Sequence, residues 1–279
     1  MQAAFDGVWT RHIAHRSVRD ALSRARTVRS IHPVSVAAST QDVARGLAAK
    51  GAESGTLVLT DHQTDGRGRG GRRWDDLPDG GTLALTVLLD AEDLGEVALA
   101  PHALGLAMVD AFAAALPAAP HVRLKWPNDV VHRGGDGSTR KLCGILIERD
   151  RVAAWDALLC GVGIDVDLRA AGEAVDRTCL AALAGAPPEP ARLIAAIITG
   201  IDDALELLAE SSTLLDRYRA ASDTIGRMVR VEPVGAAPIV GRAEDIDETG
   251  RLVVTTGGRR HAILSGTVRD VEGTEERTS

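Results

Sequence analysis

Apolar residues recur along this chain in two rhythms. Over 98–116, Leu104, Ala107, Met108, Ala111, Phe112, Ala115 and Leu116 fall at helical spacing, with Pro117 as a stop. After Pro190, a residue suited to a first helical turn, Leu193, Ile194, Ile197, Ile198, Ile201, Leu205 and Leu208 predict a long amphipathic helix. A shorter helix is expected behind Ser17 and Asp20, read as a capping box ahead of Val18, Leu22 and Ala25. The segment QDVARGLAAKG (41–51) predicts another, closed by Gly51. Strands are expected at PVSVAAST (33–40, ending in a polar turn), GTLVLT (55–60), GTLALTVLL (81–89) and VRLKW (122–126), the last running into the turn PND. KLCGILIE (141–148) and ALLCGVGIDV (157–166) are apolar enough on both faces to be central strands.

The texture changes after Ser222. Short strand-like runs, MVRVEPV, RLVVTT, AILSG and TVRDV, are separated by turn residues such as Asp247–Gly250, which predicts a small all-β domain. No internal repeat is present. The expected organisation is an Arg-rich extension at 1–32, a mixed α and β domain at 33–222, the small β domain at 223–272 and a disordered tail at 273–279.

Charge narrows the function. The formal net charge is −7, which argues against nonspecific nucleic-acid binding. No apolar run is read as approaching the roughly 18 residues of a membrane span, and the N-terminus lacks the apolar core of a signal peptide. Cys143, Cys160 and Cys179 are widely spaced and form no CxxC pattern, so buried, reduced thiols in a cytoplasmic protein are expected. Of 32 basic residues only three are Lys: Lys50, Lys125 and Lys141. A Lys kept in so Arg-rich a chain marks a place where a planar guanidinium does not fit.

The stretch DHQTDGRGRGGRRW (61–74) packs Gly66, Gly68, Gly70 and Gly71 among Arg67, Arg69, Arg72 and Arg73. Gly66, Gly68 and Gly71 formally satisfy GxGxxG, but RRWDDLPDGG follows, a poor helix that breaks at Pro78, where a dinucleotide fold needs a good one. No GK[ST] ends the loop, so it is not a P-loop. A flexible surface loop is the plain alternative. Against that, clustered arginines repel unless an anion gathers them, and glycines let backbone approach a ligand closely.

Five segments, in order, resemble the biotin protein ligase family. GRGRGGRRW is similar to its GRGRRGRxW loop, KWPNDV (125–130) to its KWPND signature and RKLCGILIE (140–148) to its RKLAGILVE strand. GVGIDV (161–166) is similar to its GIGINV strand, and STQDVA (39–44) to the STN-type turn that opens its catalytic domain. The resemblance covers 33–168 and, more weakly, the tail from 223 to 271. It implies an α+β catalytic domain of the class II synthetase-like, biotin/lipoate ligase type, with a mixed sheet and flanking helices, followed by a small SH3-like β-barrel. The implied reaction joins the biotin carboxylate to the α-phosphate of ATP, with Mg²⁺ on the pyrophosphate, then passes biotin to a Lys of a biotin carboxyl carrier protein. The implied assembly is a monomer or weak homodimer, with no membrane and no specific DNA as partner.

The resemblance also implies residue roles. Ser39, Thr40 and Gln41 would hydrogen-bond the ureido head of biotin, with Gln63 nearby. Gly66, Arg67, Gly68 and Arg69 would close over biotin and the adenylate, Arg69 keeping the adenylate from escaping. Arg72 would add charge toward ATP, and Trp74 would pack beside the nucleotide. Lys141 would stand between carboxylate and α-phosphate, as the first candidate for a catalytic residue. Asn128 and Asp129 sit in the PND turn, and Asp129 is a candidate to orient the acceptor Lys or take its proton. Gly144 would let ligand approach the strand, and Asp165 takes the place of an adenine-facing Asn. No conventional metal-ligand cluster is visible in the sequence. Plainer roles stand beside these: Trp74 and Trp126 as core aromatics, Ser39 and Thr40 as helix caps, Lys125 as a structural neighbour.

The sequence departs from the family pattern at Gln41, Gly70, Asp65 and Asp165. An ionised Asp at 165 accepts hydrogen bonds but cannot donate one to a purine ring nitrogen. Three other readings remain open. One is a lipoate or octanoate ligase or transferase of the same class. Another is a bifunctional ligase that also represses transcription; the segment ahead of the catalytic domain is expected to be too short for a winged helix-turn-helix. The third is a biotin-binding module without catalysis, which would need neither Lys141 nor the arginine loop. Glycines and mutually repelling arginines also predict a loop held open until an anionic ligand gathers it.

Overall fold

The computed structural model describes residues 7–77, 79–117, 122–152, 155–169 and 176–271. Pro78 and the tail expected at 273–279 lie outside them. One seven-stranded sheet organises the larger part of the chain, in the order β1-β2-β5-β9-β8-β7-β6. Its strands are β1 (Ser30–Ala37), β2 (Thr56–Gln63), β5 (Thr82–Asp90), β6 (Arg123–Lys125), β7 (Asp129–Arg133), β8 (Thr139–Val152) and β9 (Trp155–Asp165). β1 and β2 are parallel and every other neighbouring pair is antiparallel, so the sheet is mixed as expected. The two-residue strands β3 (Gly66–Arg67) and β4 (Arg73–Trp74) pair with each other outside it.

Side-chain alternation divides this sheet between two faces. On β9, Leu158, Cys160, Val162 and Ile164 point into the main core. There they meet α1 (Arg16–Arg24), α3 (Ala100–Ala115), α5 (Pro190–Glu206) and α6 (Ser211–Ala221). The intervening Ala157 and Leu159 point the other way, into a smaller cluster with Ala44 and Ala48 of α2 (Thr40–Ala48). Continuing along that second face, the next two positions are Gly161 and Gly163. α2 covers only part of the face, and beyond its N-terminus the sheet shows glycine floor instead of apolar side chains.

After the short α4 (Leu180–Ala184), α5 begins on Glu189, whose carboxylate accepts from the N–H groups of Ala191 and Arg192. The C-terminal part forms a five-stranded antiparallel sheet in the order β13-β12-β11-β10-β14. Its strands are β10 (Met228–Pro233), β11 (Ile239–Ile246), β12 (Leu252–Thr256), β13 (Arg259–Ile263) and β14 (Gly266–Asp270). Trp126, 1% exposed, fastens the two sheets: its indole Nε1 donates to the Gly250 carbonyl at 3.1 Å. Its plain reading, a core aromatic, is the one its burial supports.

Several expectations are corrected. The first α-helix is capped by His15, whose side chain accepts from the Ser17 N–H, so Ser17 lies inside the first turn. β1 starts at Ser30, and α1 packs on α5 with Val18 and Ala21 buried, so the Arg-rich segment is built into the core. Val97–Ala115, 19 residues, is long and apolar enough by length and composition to cross a membrane, contrary to the sequence reading. In the fold most of it is core helix, with buried residues on every side of α3.

Candidate active site

Over the glycine floor lies a partly enclosed cleft. Its walls come from the N-terminus of α2, the end of β2, the β3–β4 loop, Leu85 of β5, Asn128 in the turn before β7, and the facing stretches of β8 and β9. Of the predicted residues, Ser39, Thr40, Gln41, Gln63, Arg67, Gly68, Arg69, Trp74, Asn128, Lys141 and Gly144 line it.

One end is polar and uncharged. Ser39 caps α2 and accepts from the Gln41 N–H at 3.3 Å. The Gln63 carboxamide oxygen accepts from both the Thr40 N–H (2.8 Å) and its hydroxyl (3.1 Å), while Thr86 donates to Thr40 Oγ1 at 2.8 Å. Gln41 is 3% exposed and donates to the Leu146 carbonyl at 2.8 Å. Its Oε1 is buried with no donor among the described residues. A buried acceptor without a partner is costly unless something supplies an N–H. Capping and binding are therefore not alternatives here: the cap turns these polar atoms toward the cleft.

Lys141 reaches the cleft through an irregularity. Along β7 and β8 the register runs Asp129↔Gly144 and Val130↔Cys143, then shifts so that Val131 faces Lys141. The extra residue on β8 is Leu142, fully buried. A bulge of this kind re-aims the neighbouring side chain, and here it brings Lys141 onto the face of Gly144. A Cβ on Gly144 would stand 2.8 Å from Lys141 Nζ and 3.2 Å from the Trp74 ring. The space at Gly144, expected to admit ligand, is thus first needed by the protein's own side chains. Lys141 Nζ lies 2.7 Å from Asp129 Oδ1, an ion pair that is not an aligned hydrogen bond, since that oxygen has no hydrogen-bond donor among the described residues.

Trp74 lies flat on the floor: a Cβ on Gly163 would come within 2.5 to 2.9 Å of three of its indole atoms. Lys141 Nζ is 5.6 Å from the ring centroid and the Arg177 guanidinium carbon 5.3 Å, both within cation–π range.

The arginine loop differs from its expected state. Arg67 pairs with Asp42 through two hydrogen bonds of 2.7 and 2.8 Å and with Glu148 at 3.4 Å. Arg69 donates to Asn128 Oδ1 at 2.9 Å and to Ser265 Oγ, next to β14. Arg72 is exposed and reaches Thr267 at 3.4 Å. Protein acceptors take the place expected of the ligand, so mutual repulsion does not hold this loop open. Asn128 also donates to the Ile145 carbonyl at 2.6 Å, which ties Arg69 through the PND turn to β8. Burial lowers the Arg69 pKa from its ordinary value, and the nearby Asp129 opposes that shift.

Gly66, Arg72, Asp129 and Asp165 do not line the cleft, and Asp129 reaches it only through its ion pair with Lys141. Gly66 packs under Trp74, where a Cβ would meet the Trp74 carbonyl at 2.7 Å. Asp165 is 0% exposed, and both its oxygens are held by Arg177, one at 3.0 Å from Nε. A direct role facing adenine therefore does not fit its position. Burial pushes the Asp165 carboxyl up to about 6 against the pull of Arg177, and Asp76 behind it is likewise raised by burial to about 6. Arg177 was not foreseen. The signal was available: an Asp placed in a central apolar strand needs a cation, and Arg177 follows twelve residues later. Gly161 and Gly163 were read as strand residues only. Lys125 faces Asp129 across β6 and β7 and does not line the cleft.

Such a cleft, with a bulge-presented Lys, an arginine loop and a capped helix above a glycine floor, belongs to a recognised class. The profile of the Biotin/lipoate A/B protein ligase family matches residues 34–165, and that of the Biotin protein ligase C terminal domain matches 224–269. The biotin–[acetyl-CoA-carboxylase] ligase of Mycobacterium tuberculosis is 35% identical over 266 residues, 91% of this chain and 94% of that protein. The bifunctional ligase/repressor BirA of Escherichia coli is 30% identical over 211 residues, 74% of this chain and 63% of that one. The Aquifex aeolicus biotin protein ligase solved with biotin and ATP superimposes with a TM-score of 0.75 at 26% identity, over 87% of this chain and 100% of that one. The chain belongs to the biotin protein ligase family.

Proposed function

We propose that this chain attaches biotin to a specific lysine of a biotin carboxyl carrier protein through a biotinyl-adenylate. The observation that carries the reading is Lys141, lifted by the β-bulge into a cleft that is neutral at one end and cationic in the middle. Ser39, Thr40, Gln41 and Gln63 suit the ureido head, which offers N–H donors to the unpartnered Gln41 Oε1 and a carbonyl to the donors around the α2 N-terminus. The carboxylate tail then points toward Lys141.

In the first step a carboxylate oxygen attacks the α-phosphorus and pyrophosphate leaves. Both reactants are anions, so preorganised positive charge lowers the barrier. Lys141 supplies it at the reacting centre, with Arg67 and Arg69 above. Asp129 holds the ammonium in place by their 2.7 Å contact. In the second step the acceptor amine attacks the anhydride carbonyl and AMP leaves, and Asp129 is the candidate to take the proton released by the amine. The described residues contain no group of three or more His, Cys, Asp or Glu able to hold a metal. Mg²⁺ belongs to this reading as a companion of the nucleotide phosphates, part of the substrate.

A cytoplasmic location is supported by Cys143, Cys160 and Cys179, all free and buried. A DNA-reading role is disfavoured by the N-terminal segment, which spends its apolar residues Trp9, Val18 and Ala21 on the core of the ligase. The deciding experiment is pyrophosphate release with ATP and either biotin or lipoate, followed by transfer to a carrier domain. Release with biotin and labelling of one carrier lysine supports the reading. Release with lipoate alone, or with neither acid, refutes it.

A further inference from the structure

Lys141, Arg67 and Arg69 line the cleft, Lys141 against Asp129 and Arg67 against Asp42 and Glu148. Arg177 stands outside that lining, at the Trp74 ring, where buried Asp165 pairs with it and Asp75, Asp76 and Asp176 also act on it.

Arg177 is held with unusual definition for an arginine. Nε and one terminal nitrogen are committed to the two Asp165 oxygens, and that terminal nitrogen also reaches the Asp75 carbonyl at 3.3 Å. Its backbone is fixed as well, because flanking Asp176 and Thr178 exchange hydrogen bonds of 2.8 Å with the Lys141 backbone. The side chain is 23% exposed and lies 5.3 Å from the Trp74 ring centroid. Among the described residues nothing accepts from its remaining terminal nitrogen. A flat indole beside a fixed, charge-neutralised edge that only donates is a site for a planar heterocycle with ring-nitrogen acceptors.

We propose that Arg177, oriented by Asp165, is a nucleotide-binding residue that donates to a ring nitrogen of the adenine base beside Trp74. This rests on the ligase reading and deepens it. It also accounts for the acid at 165: the buried carboxylate contacts no ligand, but it fixes the arginine that supplies the donor an Asp cannot.

The test is steady-state adenylation by Arg177→Ala, with ATP, 1-deaza-ATP and 7-deaza-ATP. Removing a charged donor raises KM for ATP by about tenfold or more, while the affinity for biotin alone, measured by calorimetry, stays within about twofold. Wild type loses affinity for whichever deaza analogue lacks the bonded nitrogen, and the variant no longer distinguishes that analogue from ATP. Because Arg177→Ala strands Asp165 as a buried charge, Asp165→Asn/Arg177→Ala is run in parallel and gives the same loss of discrimination. An unchanged KM for ATP, or analogue penalties equal in wild type and both variants, overturns the proposal. No pyrophosphate release by wild type with biotin and ATP would instead overturn the ligase reading itself.

Discussion

Gly161 and Gly163 make β9 a ruler along the cleft. They are two residues apart on one face, so a methyl group can be added at points about 6–7 Å from each other. At Gly163 the new Cβ would lie 2.5, 2.7 and 2.9 Å from indole atoms of Trp74. Ordinary contact begins near 3.4 Å, so the rigid ring has to shift by about 1 Å, which changes its distance to Lys141 and Arg177. Displacement on that scale costs up to about a hundredfold in a reaction governed by positioning. At Gly161 the new Cβ would lie 2.5 Å from Gln41 Nε2, the end of a flexible side chain. Gln41 can turn aside, but it gives up its hydrogen bond to Leu146, worth about 1 kcal/mol or about fivefold. Gly163→Ala should therefore lower kcat/KM for ATP by about ten- to a hundredfold with little change for biotin. Gly161→Ala should raise KM for biotin by about three- to tenfold and leave ATP nearly untouched. Gly46→Ala, on α2 with open space around the added atom, is the control. It should keep full activity and gain about 0.5–1 kcal/mol in urea unfolding. The assay is pyrophosphate release with each substrate varied in turn. Equal effects of the two β9 variants on both substrates, or none from Gly163→Ala, would refute this ordering of the cleft.

Lys141→Ala should slow adenylation by at least about a hundredfold in single-turnover measurements, and Lys141→Arg should also be impaired because a guanidinium does not fit over Gly144. Arg69→Gly should form adenylate yet release it, seen as biotin on lysines of added serum albumin, with Ser265→Ala giving a weaker leak; carrier-only labelling by Arg69→Gly would count against retention. His102 is buried against Tyr218, and burial lowers its pKa from 6.5 to about 4. Between those pH values the unfolded chain binds the proton and the folded one does not, so stability falls as pH falls through that window, by up to about 3 kcal/mol. His102→Phe should flatten this part of the denaturation profile. Gel shifts should find no salt-resistant complex with a specific DNA, with or without biotin.

What could be read from the sequence was chemistry concentrated in short segments. Lys141 stood out because positive charge elsewhere is nearly always Arg, and Ser39–Gln41 because capping residues and ligand donors share a type. What escaped depends on distant partners. Arg177 belongs to no motif and matters only through Asp165 and Trp74. The glycines of β9 read as a weak strand until the ring above them is seen. β11 was missed because Gly241, required where Thr255 approaches closely, and the bulge between Ala243 and Asp245 break its alternation. β7 was hidden behind the PND turn, and α6 by its polar composition. The helix cap at His15 escaped because imidazole is an uncommon cap.

The β3–β4 loop is fastened in two different ways, and ionic strength separates them. Arg67 is joined to Asp42 through opposite charges on side chains 33% and 47% exposed. Mobile ions at 0.15 M screen such a pair over about 8 Å. Arg69 is joined to an amide and a hydroxyl, which carry no net charge for salt to compete with. Rising salt thus loosens the loop from the Gln41 side first, while the side over Asn128 stays shut. If the loop closes over the activated acid as proposed, one strap would serve as a door for the entering acid and as a wall for its product.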